Sequence, residues 1–277
     1  MDSKYLFVTT LFFLGLLIGS FLNVVIWRVP RSESIVKPRS YCPSCKGQIA
    51  WYDNVPLVSW LILKRRCRAC SEIISFRYVA VEILTGILFV ASFIALESSV
   101  TSRLPTPYFI ELIALLGFAS ISVAIAFIDG KTGLIPNSLV LWGVASTLLL
   151  DLGSLIQQTN DLVVGRSLAA GALSFCFFLT VKLISPNGLG WGDVKLAFPL
   201  GMALGFFGWG SLIIGGMAAF GFASAYSLFL VALRSKRRKS FIYLGPWLVT
   251  GAWVGILSGE KVWALYLELI DSLVGRV

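Results

Sequence analysis

Two aspartates and four cysteines are the residues of this sequence whose types and spacing could do chemistry. Asp129 stands in FIDGKTGLIPN and Asp193 in GLGWGDVKLAF, each where a long apolar run meets polar residues. An ionisable group at such a boundary is a functional candidate by default, because apolar surroundings penalise its charge. Gly188, Gly190 and Gly192 precede Asp193 at every second position, and Gly130, Gly133 and Pro136 follow Asp129, so both carboxylates belong to segments whose backbone can bend. Two carboxylates brought together can share one proton. The ionised one then takes a proton from water while its neighbour donates one, which permits peptide hydrolysis without a metal. The plainer alternative is that each aspartate caps a helix or pairs with the nearby Lys131 or Lys195.

Histidine is absent, which excludes Ser-His-Asp triads, Cys-His dyads and HExxH zinc sites. Cys42-Pro-Ser-Cys45 and Cys67-Arg-Ala-Cys70 are separated by 21 residues. Each CxxC turn can present two thiolates to one ion, and two such turns close a tetrahedral zinc cage. A four-thiolate cage leaves no position for substrate, so the expected role is structural. The segment 28–77 that carries it is rich in Pro, Ser, Arg and Lys, and metal binding would supply much of its folding free energy. A pair of disulfides or a redox CxxC are the competing readings. Cytoplasmic placement, argued next, opposes the first, and the doubled motif opposes the second. Cys176 stands alone in an apolar run and is expected to pack as a small hydrophobe.

The elements that must position these groups are membrane helices. Hydrophobic residues make up 57% of the chain and charged residues 13%, against about 25% charged in soluble domains. Apolar stretches near 5–27, 78–97, 109–128, 134–152, 163–185, 195–209, 211–233 and 246–270 predict about eight transmembrane helices. The sixth is short and rich in glycine, as in a half-helix or a tight hairpin with the seventh. The first is long enough to span and lacks an Ala-x-Ala exit, so it reads as a retained helix. The segments 28–77, 129–133, 182–195 and 234–239 hold 18 of the 23 basic residues. That asymmetry places them, and both aspartates, on the cytoplasmic side, with both termini outside. The basic cluster Arg234 to Lys239 lacks interleaved aromatics and follows a span, so it fits lipid headgroups and not nucleic acid.

Several further segments accompany these motifs in order: GSFLNVVIWRVPR, WYDNVPLVSWL between the cysteine pairs, ISFRYVAVEILTG after them, and YLGPWLVTGA near the end. Together they resemble the type IV prepilin peptidases, bifunctional leader peptidases and N-methyltransferases of the GxGD class of membrane aspartic proteases. The resemblance covers nearly the whole chain. It implies that Asp129 and Asp193 are the catalytic pair, that Gly190, Gly192 and Lys195 support the catalytic loop, and that Cys42, Cys45, Cys67 and Cys70 hold zinc. It also implies cleavage of the basic leader of type IV prepilins and pseudopilins at the cytoplasmic face of the inner membrane. The new N-terminal residue would then be methylated by S-adenosylmethionine, in support of pilus assembly or type II secretion.

Asn137, Val79 and Arg65 depart from residues usual in that family, and none of these departures removes a catalytic residue. No GxGxxG strand-turn-helix site is present, so the residues that would hold S-adenosylmethionine are not evident. Asn23, Arg28, Arg77, Tyr78 and Glu82 could support methylation or dock the cysteine insert, or simply snorkel and cap helices. The expected fold is an all-α polytopic membrane protein. Residues 1–27 form the first transmembrane helix, 28–77 a cytoplasmic zinc-binding module, and 78–277 a transmembrane aspartic peptidase core. An ion-coupled transporter using both aspartates and a zinc-module membrane scaffold are the alternatives from other classes.

Overall fold

The computed structural model describes residues 3–100, 108–157, 161–186, 188–233 and 243–274. Its main helices are α1 (Ser3–Arg28), α2 (Val58–Ile62), α3 (Arg77–Val100), α4 (Phe109–Thr132), α5 (Asn137–Ile156), α6 (Asp161–Ile184), α7 (Trp191–Phe207), α8 (Trp209–Ala232), α9 (Gly245–Val254) and α10 (Glu260–Val274). Among the described residues there is no strand, only the isolated bridges Tyr41–Gln48 and Arg66–Ile73 inside the cysteine segment. The expected all-α membrane fold with a four-cysteine insert after the first helix is therefore present. The basic cluster Arg234 to Lys239 lies outside the described residues.

Each apolar stretch read from the sequence becomes one helical body, and among the described residues six helices are individually long and apolar enough to cross a membrane. The other two of the expected eight are a shorter helix and an interrupted one. Helix α7 has 17 residues; at about 1.5 Å per residue it extends roughly 25 Å, less than the ~30 Å hydrocarbon layer. The last body runs from α9 through a π-helical turn at Gly255–Gly259 into the amphipathic α10, so its apolar face does not persist. The hairpin expected between the sixth and seventh stretches is real: α7 ends at Gly208, φ 155°, and α8 begins at Trp209.

Helix α4 is the hub, packed against α1, α3, α5 and α9. Leu115, Ala119, Val123, Ile125 and Ile128 along it are almost wholly buried. By contrast α8, and α6 over much of its length, turn large apolar side chains outward, as helices in contact with lipid do. Cys176 is on that outward surface of α6. It therefore does not pack into the protein core, which corrects the expectation for it.

Helices α1 and α3 cross so closely that a Cβ on Gly19 would lie 2.6 Å from Glu82 Cα, and one on Gly15 2.6 Å from Gly86 Cα. Small residues at such a crossing let the backbones meet. The crossing brings Asn23 of α1 beside the start of α3, where its amide donates to Tyr78 O at 3.1 Å. The start of α3, the end of α1 and the end of α4 thus gather at one end of the bundle, beneath the cysteine segment. Arg28 fastens that segment to α1, donating to Ser34 O at 2.8 Å, Pro38 O at 2.8 Å and Arg39 O at 3.2 Å. At 3% exposure it is a buried tether and not a snorkelling side chain.

Candidate active site

The cysteine segment folds as two copies of one turn. Cys42 N donates to Gly47 O and Lys46 N to Cys42 O; twenty-five residues on, Cys67 N donates to Glu72 O and Ser71 N to Cys67 O. The fourth residue after each leading cysteine, Lys46 and Ser71, takes φ of 60°. The resulting knuckles face each other, and all four Sγ atoms lie within 4.8 Å of one another, with Cys42 Sγ to Cys70 Sγ at 3.8 Å. Zinc–sulfur bonds of about 2.3 Å in a tetrahedron require sulfur separations of roughly 3.8 Å, so the thiols fit a zinc ion.

The electrostatics agree. Burial disfavours ionisation of Cys42, but hydrogen bonds from the backbone of Cys45 and Ser44 outweigh it and bring the thiol down to about 7. Cys70 accepts a backbone hydrogen bond from Glu72 that favours its thiolate, yet burial and the neighbouring thiols push it up to about 12. Cys42 therefore ionises readily while its neighbours hold Cys70 back, a frustration that a dication relieves.

The two aspartates line one cleft from two helix ends. Asp129 lies in the last turn of α4 and Asp193 in the first turn of α7, so each is on regular helix and not in the bent segment beside it. Both line a cleft of about 330 Å³ together with Gly133, Ile135, Gly190 and Gly192, and their charges repel each other across it. Asp129 is 4% and Asp193 8% exposed, far from the solvated state of an ordinary surface carboxylate. Gly245 N, at the start of α9, donates to Asp129 Oδ2 at 2.9 Å. Gly190 N donates to Asp193 Oδ2 at 3.2 Å, which caps α7, while Asp193 Oδ1 is buried without a hydrogen-bond partner.

The capping role weighed for Asp193 is thus correct but incomplete, since capping uses one oxygen and leaves the other free. Pairing with lysine is not what holds either aspartate. Among the described residues neither makes an ion pair. Lys195 donates instead to Asn137 Oδ1 at 3.1 Å, joining α7 to α5, and Lys131 sits 5.5 Å from the Trp27 ring centroid. Gly192 has a clear reason to be glycine, because a Cβ there would fall 2.8 Å from Ile135 Cβ. Gly190 supplies the capping amide.

Two features escaped sequence reasoning. Gly245 is the partner of Asp129, although it is 116 residues away; the Gly-Pro pair that opens α9 was its only local signal. Lys182 holds the approach to α7, donating to Leu189 O at 2.6 Å and to Pro186 O.

A second and larger cavity, about 790 Å³, lies between the cysteine module and the adjoining ends of α1 and α3. Asn23, Arg28, Arg77, Tyr78 and Glu82, grouped in the sequence only as possible supports, all line it, and so does Lys131.

Residues 13–96 match the bacterial peptidase A24 N-terminal domain, and residues 116–234 match the type IV leader peptidase family. A protein of Myxococcus xanthus is 42% identical over 201 residues, which is 72% of this chain and 56% of that protein. One of Aeromonas salmonicida is 32% identical over 96% of both chains, and one of Klebsiella pneumoniae is 36% identical over 73% of this chain and 86% of its own. All three are named prepilin leader peptidase/N-methyltransferase. No solved structure matches the chain. With the two domain matches on either side of α4's start and a relative aligned over nearly its full length, the chain belongs to the type IV leader peptidase family.

Proposed function

We infer that Asp129 and Asp193 are the catalytic dyad that removes the leader peptide of type IV prepilins and pseudopilins. The observation that carries this reading is the shared cleft. Two almost fully buried carboxylates line it from the ends of α4 and α7, each oriented by a glycine amide, with one oxygen of Asp193 left unbonded. Like charges that repel across a small cleft lined by buried carboxylates favour holding one proton between them. The ionised carboxylate takes a proton from the attacking water as its oxygen bonds the peptide carbonyl carbon. The protonated one gives its proton to the departing amine as the C–N bond breaks. Gly190 and Gly192 support this loop by capping α7 and admitting Ile135, and Lys195 fixes α7 to α5 through Asn137.

Both aspartates and the zinc module are assigned to the cytoplasmic face of a bacterial inner membrane, where a basic leader is retained. Residues 1–27 act as the first membrane helix, 28–77 as the zinc module and 78–277 as the peptidase core. Zinc is structural, since four thiolates complete its coordination. Methylation of the new N-terminal residue uses S-adenosylmethionine as methyl donor, in keeping with the N-methyltransferase in the relatives' names.

The test is cleavage of a purified prepilin in detergent or liposomes, read by the mobility shift on leader loss. Asp129→Ala, Asp129→Asn, Asp193→Ala and Asp193→Asn should each lower the rate by at least ~100-fold, the usual contribution of a positioned acid or base. Membrane insertion and zinc content should be unchanged. Cleavage at the wild-type rate in both Asn variants would overturn the assignment.

A further inference from the structure

The larger cavity has a feature that the folded chain does not explain by itself. Asn23 is 4% exposed, and its Nδ2 is committed to two carbonyls, Gly19 O at 3.3 Å and Tyr78 O at 3.1 Å. Those two acceptors fix the amide's orientation, because only the NH₂ group can serve them. Its Oδ1 is consequently a buried acceptor with no partner in the wall of the cavity. Leaving such an atom unpaired is costly, so a water or a ligand group must complete it.

Beside it stands Glu82, 7% exposed, which accepts Leu57 N at 2.9 Å. Among the described residues Glu82 has no ion pair. Of the other acidic groups on that wall, Asp53 is already neutralised by Arg68 through two hydrogen bonds of 2.8 and 2.6 Å, and Glu72 is solvent-exposed. The wall therefore offers one buried carboxylate without an ion pair and one buried acceptor without a partner. A ligand with a positive centre and an N–H or O–H donor matches both. Arg77 lines the same space and can take a ligand carboxylate. Tyr78 and Trp60 provide aromatic surface for a flat base. The volume, about 790 Å³, lies within the roughly 300–1,000 Å³ of small-molecule sites.

We propose that this cavity is the methyl-donor site: it binds S-adenosylmethionine, with Glu82 and Asn23 Oδ1 as its recognition pair, apart from the aspartate cleft. The proposal rests on the methylation reading above and adds to it a place and a pair of residues. The chemistry balances without a further reactant. The new α-amine has an ordinary pKa of about 7.7–8.0, so its extra proton goes to water near neutral pH. The nitrogen lone pair forms the N–C bond to the methyl group as the S–C bond breaks, and that bond's electron pair stays on sulfur to give S-adenosylhomocysteine. One positive charge moves from sulfur to nitrogen, and the Glu82 carboxylate suits it at either position.

The experiment uses full-length protein in detergent and S-adenosylhomocysteine as the probe, with titration calorimetry, zinc content, leader cleavage and methyl incorporation measured on each variant. Glu82→Gln keeps an acceptor for Leu57 N but removes the charge; Val24→Trp, next to Asn23 on α1, puts bulk into the cavity. Both should bind the probe at least tenfold more weakly and methylate correspondingly less, while zinc content and leader cleavage hold. In parallel, ultraviolet crosslinking of labelled S-adenosylmethionine to unmodified enzyme should mark peptides within residues 20–82. Label confined to α6, α7 or α8, or wild-type binding and methylation in both variants, would overturn the location alone. Unmodified enzyme that cleaves but neither binds the probe nor adds a methyl would overturn the methylation reading with it.

Discussion

Asp129 and Lys131, two residues apart in the last turn of α4, open onto different spaces: Asp129 lines the aspartate cleft and Lys131 the larger cavity. Residues two apart on an α-helix point roughly 200° from each other, so one turn of one helix is the partition between the two spaces. A helix with its side chains is about 10–12 Å across. On the proposed reading, an amine produced at the cleft and a methyl donor in the cavity sit on opposite sides of that turn.

This proximity predicts that cleavage and methylation are coupled in one visit. In a pulse of labelled prepilin chased with excess unlabelled, already cleaved pilin, most of the labelled product should emerge methylated. Mass spectrometry of the labelled N-terminus measures it. Methylation diluted in proportion to the competitor would show that the cleaved pilin leaves and rebinds.

The amide of Gly245 orients Asp129, and the approach is too close for any side chain. A Cβ at that position would fall 2.6 Å from Asp129 Oδ2. Gly245→Ala should therefore displace the carboxylate and lower leader cleavage by about 10- to 100-fold, since displacements near 1 Å cost on that order. Gly216→Ala on α8 is the matched control, because a Cβ there meets nothing within 4 Å. Equal cleavage rates in the two variants would remove Gly245 from the site.

The zinc cage is expected to govern order in its module. The segment has few buried apolar groups of its own; Cys42 is one, and Arg28 tethers the stretch just before it. Removing the metal with a strong chelator, or replacing Cys42 with Ala, should make residues 28–77 sensitive to protease while the membrane helices stay protected. The measurement is limited proteolysis with mass mapping, alongside metal content. A metal-free protein with the wild-type cleavage pattern would mean that the module holds itself together.

Much of this arrangement was legible in the sequence, and the limits are physical. Apolar run length located the long helix bodies, though not α2, because lipid leaves the backbone no other way to satisfy its hydrogen bonds. It did not show that α7 is short or that the last body is interrupted between α9 and α10, because run length does not reveal where regular backbone begins and ends. Asp129 and Asp193 stood out because a carboxylate beside an apolar run has few structural reasons to be there. That they line one cleft depends on how α4 and α7 pack, and pairing across 64 residues leaves no local trace. Gly245 was hidden for the same reason, and Cys176 was misplaced because a wholly apolar helix does not reveal which face meets lipid. Asn23 and Glu82 could be read only as possible supports for methylation or for docking the insert until the α1–α3 crossing put them in one wall.

Helix α7 carries Asp193 at its first turn and is anchored at its other end by Arg166 of α6. The guanidinium donates to Gly205 O at 2.6 Å and to Phe206 O at 2.7 Å, two carbonyls that the helix end leaves without partners. A cation there also complements the negative end of the helix dipole. Arg166→Ala removes both bonds and exposes two carbonyls to apolar surroundings, and hydrogen bonds to a charged group contribute about 1.5–3 kcal/mol each. The variant should melt several degrees lower in detergent, and its cleavage rate should fall modestly, because α7 can then shift along α6 and carry Asp193 away from Asp129. Arg166→Lys, which keeps the charge but not the two-pronged geometry, should lie between. An unchanged melting temperature in Arg166→Ala would show that packing of α6 on α7 alone fixes the helix, and a normal cleavage rate in a variant that melts lower would show that the position of Asp193 does not depend on the far end of α7.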